Sequence, residues 1–595
     1  MRGNPSSNRL KGFYFLLSAT VVIPRLAMIY RFYVVALLLI PLLSLSQETP
    51  VNSPAAGSAV VVEPKGQLHG NFQVLFQQYN PDSLIGAQVP PAKSAMNSYG
   101  NFTYTHGNLS AGLRFESYQN AILGFPSRFK GSGIGSRYVR YNNDKLDITV
   151  GNFYEQFGTG MTFRTYWEPN LGIDNEMDGV RVIFRPIKGV AIKTIYGQQR
   201  ADFDGRVING RGLVRGIDGE VHINDLLESL TENPLKITVG GSFVSKYQPG
   251  STIERDSNVF TLPNNVGATG GRLGLEYKNI SFTGEYVTKI NDPNADNSYI
   301  YKKGEGIFIN AAYSTRGFGM TASMKYIDNM AFRSDRDALL FDVPINFLPA
   351  ITRQHTYNLA ATLYPYATVL NGESGVSGEI FYTFKKKSLL GGKYGTYVSF
   401  NATAVNSLDT THVGGREQLI NGYKTNSYFF GNTKFVRDVN VEVRKKISKE
   451  WNIVYAHYYF EFNTLVTPVT QDYKGLVFAH IDVVDIQYKF QPKHSIRMEI
   501  QSLITKQDKG NWATALVEYS FSPHWSLAVL DQYNYGNKNE EKQTHYLFGN
   551  LAYSNGSNRI MIGYGKRRAG IFCIGGVCRA VPASNGIEIN ITSSF

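Results

Sequence analysis

The chain has two thiols, Cys573 and Cys578, spaced as Cys-Ile-Gly-Gly-Val-Cys. With Gly575-Gly576 as a two-residue turn, Ile574 and Val577 form the hydrogen-bonded pair beside it. The cysteines then fall in the next, non-hydrogen-bonded pair, with Cα atoms about 4.5–5.5 Å apart, which suits a disulfide. The ring closed is too small to add much stability, so the expected gain is a rigid tip. A Cys-x4-Cys metal half-site is the alternative, and two further ligands are missing nearby. A second stretch departs from any strand pattern, from Gly151 to Arg181. Gly151, Gly158 and Gly160 imply bends or close backbone approach, and Glu155, Arg164, Glu168, Asp174, Asp178 and Arg181 make a polar cluster. Two readings stay open: a loop folded into an interior, contacting a solute or partner, or a solvated loop. Asp174, Asn175, Glu176 and Asp178 could offer oxygens to Ca²⁺, but their spacing is not that of an EF-hand. Motifs for zinc proteases, serine hydrolases and phosphate-binding loops do not occur, so no enzyme activity and no cofactor are expected. Single histidines such as His457 and His545 read as lumen or girdle residues.

These residues must be positioned by strands. Ile486, Tyr488 and Phe490 alternate with Asp485, Gln487 and Lys489, and Ile496, Met498 and Ile500 alternate with Arg497 and Glu499. Such alternation marks two β-strands, each with one apolar and one charged face. Pairing Phe490 with Ile496 puts the six apolar side chains on one face. Further short turns are expected at 106–108, 142–144, 186–189, 278–279, 314–317, 448–450, 522–524 and 555–557, with a helical connection at 225–230. Between them lie long polar connections at 79–96, 156–178, 248–268, 290–304, 327–354 and 405–432. Alternating short and long connections over one meander are how transmembrane barrels are built, with short turns in the periplasm and long loops outside. Aromatics flank the short turns (Tyr141, Tyr277, Tyr313, Phe318, Trp451, Phe490, Phe521, Trp525, Tyr553), as an interfacial girdle requires. The fold read from the chain is all-β, a single large antiparallel transmembrane barrel of 24–26 strands, with 22 acceptable and the region 355–405 ambiguous. Lys489 and Arg497 must face the lumen, because a cation facing mid-bilayer lipid costs about 2–4 kcal/mol. The lumen is therefore expected to be charged, wide and wet.

Composition agrees. Of 595 residues only 18% are charged, 13% are aromatic and two are cysteine. Past residue 50 no apolar run is long enough for a membrane helix, aromatics at this level speak against disorder, and two cysteines cannot build a disulfide scaffold. No acid precedes Glu48, while Arg2, Arg9, Lys11, Arg25 and Arg31 are basic. The apolar runs Phe13–Ile23 and Phe32–Leu45 end in small residues before a cut after Ser46. Residues 1–46 thus read as an N-terminal extension and secretory signal peptide, with Met28 an alternative start and a membrane anchor the competing reading. Residues 47–66 read as a short periplasmic segment and 67–595 as the barrel. Without the signal the formal charge of +13 falls to about +8, and no basic block reads as a nucleic-acid arm.

Ile587, Ile589 and Ile591 alternate with polar residues up to the terminal Phe595, resembling the C-terminal insertion signal of bacterial outer-membrane barrels. Together with Gly151–Arg181, Gly576-Val-Cys-Arg579 and Val581–Gly586, this segment resembles an uncharacterised outer-membrane barrel family of Bacteroidota-type bacteria. The resemblance implies a barrel in the outer membrane and carries no activity. Two functions follow as expectations. The first is a passive porin-like channel or transporter for small solutes, for which no room is left for an N-terminal plug. The alternative is a non-conducting subunit of an envelope secretion, assembly or adhesion machine. Expected partners are outer-membrane lipid, the barrel-assembly machinery during biogenesis, and small solutes or other envelope proteins, with no nucleic acid.

Overall fold

The computed structural model describes residues 66–87, 89–340, 342–466, 475–574 and 577–595. The segment 1–46 and all but the end of 47–66 lie outside them. Twenty-four strands form one antiparallel sheet. It closes on itself, because the first strand, Gln67–Tyr79, pairs both with Ser94–His106 and with the last strand, Ser584–Ser594. Closure leaves no sheet edge, which a lipid environment demands. The strand number falls at the lower end of the expected 24–26.

At one end of the barrel the strands join through tight turns, such as Lys278-Asn279 between Asn265–Tyr277 and Ile280–Lys289, and Arg316-Gly317 between Gly304–Thr315 and Phe318–Asp328. The helical connection is present as Ile223–Leu226 followed by the 3-10 turn Glu228–Leu230. Aromatics ring this end: Trp451 stacks on Tyr488 at 4.2 Å and Trp525 meets Tyr553 at 4.8 Å. Above the ring, outward positions such as Val517, Leu527, Val529, Ile560 and Ile562 are apolar and exposed, as a lipid-facing band requires.

Three details differ from the sequence reading. Tyr488, not Phe490, pairs with Ile496, because a bulge at Phe490 and the two-residue turn Pro492-Lys493 shift the register by two. A two-residue shift keeps every side chain on its face. The segment 405–432 is mostly strand: Thr396–His412 and Tyr423–Lys446 pair through four register shifts, so polar, Ser/Thr/Asn-rich sequence there codes a bulged ribbon. The loop beginning after Asp328 runs to residue 371, and the ambiguous region resolves into that loop, strand Gly372–Phe384, an eleven-residue connection and strand Thr396–His412.

The lumen is not uniformly wet. In strand Leu476–Gln491 the inward residues Val477, Ala479, Ile481 and Val483 are fully buried, whereas Asp485, Gln487 and Lys489 below them are not. The same holds for Val454, Ala456, Tyr458, Phe460 and Phe462 in the neighbouring strand Trp451–Asn463. Something covers the wall from the long-loop end to about mid-strand. Eight residues, about 26 Å of strand, remain between Val483 and the turn.

Candidate functional site: a stopper of inserted loops

Two long connections fold into the barrel. The first, 154–176, leaves the wall early because strands Leu146–Phe153 and Met177–Phe184 are only eight residues each. Gly151 lets strand Gly131–Asn142 approach closely: it has φ 102°, and a Cβ there would lie 2.4 Å from the Arg137 carbonyl oxygen. The loop then crosses to the wall near Glu285, whose Oε2 accepts from the Thr159 amide at 2.7 Å. Gly158 turns the tip with φ 53°, where a Cβ would meet that carboxylate at 2.7 Å. Phe157, Phe163 and Met177 pack on Val214, Val244, Val266 and Ala268 of the wall, and on Phe332 and Ile345 of the second loop. Met161 packs on Val287, Ile327, Met330 and Leu348.

The second connection, 329–371, reaches the other side. Ile351, Tyr357, Leu359, Ala360, Tyr364 and Tyr366 pack on Val405, Val436, Ala456, Tyr458, Phe460 and their neighbours. The short helix Asn358–Thr362 is pinned by the Leu359 amide, which donates to Gln501 Oε1 at 2.9 Å. Main-chain bonds tie the loops together: the Arg164 amide donates to the Ile345 carbonyl, and the Phe347 amide to that of Gly160.

Buried charges hold both loops to the wall. Lys325 and Glu373, fully buried on adjacent wall strands, pair at 2.5 Å. Lys325 Nζ also donates to the Pro349 carbonyl at 2.8 Å and to Thr368 Oγ1 at 3.2 Å, while Glu373 Oε2 accepts from Tyr366 Oη at 2.5 Å and the Val369 amide at 2.7 Å. His355 meets Asp438 at 2.6 Å. On the first loop, Asp174 accepts from Tyr154 Oη at 2.8 Å and pairs with Arg200 at 2.8 Å and with Arg114. Glu116 joins both arginines at 2.7 Å and accepts from Tyr118 Oη. The Glu176 carboxyl lies 3.5 and 3.8 Å from these arginines and accepts no hydrogen bond. Three carboxylates against two guanidiniums leave one negative charge in excess, and burial pushes the Glu176 carboxyl up to about 8. At the edge of the stopper, Asp292 pairs with Lys246 at 2.8 Å and Lys289 at 3.3 Å. Burial alone would raise the Asp292 carboxyl, but these ammonium groups hold it below its ordinary value.

A model for a family of unknown function, DUF6029, matches residues 30–595. The chain belongs to that family. A search of curated proteins found no match. Among solved structures the DUF6029 chain is similar to the siderophore receptor PirA from Pseudomonas aeruginosa, at 10% identity and TM-score 0.40, covering 90% of this chain and 81% of that one. It is similar to the copper transporter OprC at 10% identity and TM-score 0.38, covering 90% and 82%. For OpdK of Pseudomonas aeruginosa, solved with vanillate, the values are 10% and 0.33, covering 78% and 98%.

The six polar residues singled out between 155 and 181 in this DUF6029 chain do not form one cluster. Asp174 belongs to the Arg114–Arg200 group. Glu155 pairs with Lys193 at 2.9 Å and with Arg181, which also holds Asp147 at 2.6 Å. Asp178, on its strand, faces Arg137 at 3.4 Å. The Arg164 guanidinium lies over Phe347 at 4.1 Å and Tyr166 at 4.9 Å, and Glu168 accepts from the Asn170 amide. The oxygens of Asp174, Asn175, Glu176 and Asp178 do not converge: Asn175 Oδ1 accepts from the Tyr166 amide, and its Nδ2 donates to the Pro344 carbonyl. Among the described residues no metal-ligating group of three occurs. Cys573 and Cys578 are disulfide-bonded, with Cα atoms 4.1 Å apart. Their hairpin packs against the stopper: Cys578 meets Ala367, and Gln354 Nε2 donates to the Cys573 carbonyl at 3.3 Å. Ile587, Ile589 and Ile591 lie opposite Tyr564, Ile562 and Ile560, and Phe595 follows the strand. His457 sits on the outer face with Asp482 at 2.9 Å, not in the lumen.

Proposed function

We propose that this is an outer-membrane barrel that is closed at rest, and that it passes small solutes only when its inserted loops move. The basic-then-apolar sequence of 1–46, the period-two alternation of the strand Ser584–Ser594 and the outward apolar band above an aromatic ring support the location, with the short turns in the periplasm. The observation that carries the closed state is the coverage of the inner wall by 154–176 and 329–371, from the long-loop end to mid-strand. A steady porin-like pore would need water along that wall, where side chains as large as Phe460 and Tyr458 are instead packed.

Planar-bilayer recording tests the proposal. The purified barrel should hold a silent baseline with rare openings, and replacing 351–368 by a short Gly/Ser linker should give steady conductance. Continuous conductance by the wild type refutes it. The alternative role, a non-conducting accessory subunit, draws on the ribbon Thr396–His412/Tyr423–Lys446, which exposes Tyr428, Phe429 and Phe430 near the long-loop end. A linker variant that stays silent while folded favours that role.

A further inference from the structure

Beyond residue 46, where the formal net charge is about +8, basic residues cluster at one place on the short-turn rim. Three successive connections meet there: 385–395, 447–450 and the Pro492-Lys493 turn. They are neighbours in space, since Thr396 pairs with Lys445 and the Lys489 amide donates to the Glu450 carbonyl at 2.9 Å. The connections and the strand ends flanking them carry Lys385, Lys386, Lys387, Lys393, Lys445, Lys449 and Lys493, with Arg444, Lys446 and Lys489 on the lumen side of the same rim, against two acids, Glu442 and Glu450. All of these lysines except Lys445 are exposed. Among the described residues, none of the nine lysines has an ion-pair partner, and only Arg444 is paired, with Glu442. The rest of the short-turn rim is mixed, with Asp144 beside Lys145 and Asp225 paired to Lys188.

The same patch exposes apolar side chains. Leu389 is 98% exposed, and Leu390 and Ile447 are more than half exposed. Tyr394 lies under the ammonium groups of Lys393 and Lys446, and Trp451 and Tyr488 stack just above. Lysines whose stems run along apolar surface while their heads reach water, beside an aromatic ring and two bare leucines, match the chemistry of a bilayer surface at headgroup depth. Clustered lysines there attract anionic lipid.

We propose that this rim binds phospholipids with a net negative headgroup in the adjoining periplasmic leaflet, with Leu389 and Leu390 dipping among the acyl chains. The inference rests on the outer-membrane placement of the barrel. An acidic protein is the competing occupant. The bare leucine pair favours lipid, because a soluble acidic surface would match the lysines and leave the leucines in water.

Native mass spectrometry of the full folded barrel, offered equal phosphatidylglycerol and phosphatidylethanolamine with matched chains, tests it. Phosphatidylglycerol should be retained preferentially. The variant K385Q/K386Q/K387Q/K449Q should lose that preference by on the order of fivefold per lysine removed, while Leu389→Ser and Leu390→Ser together should weaken retention of both lipids. Equal retention of the two lipids by the wild type, or a preference unchanged in the lysine variant, overturns the proposal, as does capture of an acidic protein without lipid preference. Heat-modifiable migration and insertion into zwitterionic vesicles are read in parallel. Failure to insert refutes the membrane placement itself, whereas insertion without selectivity refutes only the lipid site.

Discussion

The pair Lys325–Glu373 should decide how firmly the stopper stays seated. Both side chains are wholly buried, and each also bonds the loop 329–371: Lys325 through Pro349 and Thr368, Glu373 through Tyr366 and Val369. Glu373→Gln keeps an oxygen for Tyr366 and Val369 but leaves the Lys325 ammonium buried without a counter-charge. Breaking a buried pair from one side costs about 3–5 kcal/mol. If that cost falls on loop docking, the ratio of closed to open barrels drops between about a hundredfold and a few thousandfold. Lys325→Met should cost a similar amount, now through an unpaired carboxylate. The double variant Lys325→Met/Glu373→Gln buries no charge and loses only the bonds of Lys325 to Pro349 and Thr368, about 1–2 kcal/mol together. Its open fraction in planar bilayers should therefore lie well below that of either single variant. Protease cleavage within 349–369 should follow the same order. Folding is checked by heat-modifiable migration. A folded Glu373→Gln barrel as silent as the wild type, or a double variant as leaky as both singles, would refute the role of this pair as a latch.

Other contacts predict smaller or opposite effects. Glu116→Gln should destabilise strongly, because Glu116 accepts from Arg114, Arg200 and Tyr118, whereas Glu176→Gln should be near neutral at acid pH and stabilising at neutral pH, because the Glu176 carboxyl accepts nothing. Since the folded chain holds the Glu176 proton up to about pH 8, wild-type stability should fall as pH rises from the ordinary Glu value towards 8, and denaturant titrations of Glu176→Gln should lack that slope. Asp292 works in the other direction. Its depressed carboxyl stabilises the fold at neutral pH, and that contribution is lost as pH falls below the ordinary Asp value, which limited pepsin digestion should register as new cleavage in 290–303. Replacing Cys573 and Cys578 by serine should cost at most about 2 kcal/mol locally and leave the barrel folded, but raise the opening frequency, because that hairpin rests on Gln354 and Ala367.

Much of the barrel is legible in the chain because period-two alternation is a strong and local signal. Residues 485–501 announce two strands and their outward face, and a register error of two residues at Phe490 changes neither. Gly151, Gly158 and Gly160 likewise announce that the chain leaves the wall, since their positive φ values are an intrinsic glycine conformation. The partners of the loop were not legible. Arg114 and Arg200 are 60 and 26 residues from Asp174, and Lys325 and Glu373 look like two more lumen charges until the chain is closed into a cylinder. Pairing by topology has no local spacing to betray it, so the polar residues from Glu155 to Arg181 looked like one cluster when they are shared among several walls.

The filling of the lumen did leave a trace, in the phase of the alternation. From Ile486 to Phe490 the apolar residues are even-numbered and face outward, while from Val477 to Val483 all but the exposed Phe478 are odd-numbered and face inward, opposite His480 and Asp482 on the outside. Strand Trp451–Asn463 repeats the switch, with Trp451, Ile453 and Tyr455 outward below, then Ala456, Tyr458, Phe460 and Phe462 inward above, where His457 and Glu461 occupy the outer face. A strand in one environment cannot reverse its apolar face without a bulge, and the pairing of these two strands across the reversal is continuous. The environment must therefore reverse instead: the outside changes from lipid to water at the height where the inside changes from water to packed loop. On that argument the stopper lies largely beyond the apolar band, level with the outer water, and a solute arriving from the long-loop side meets the inserted loops before it meets the open, charged lower lumen.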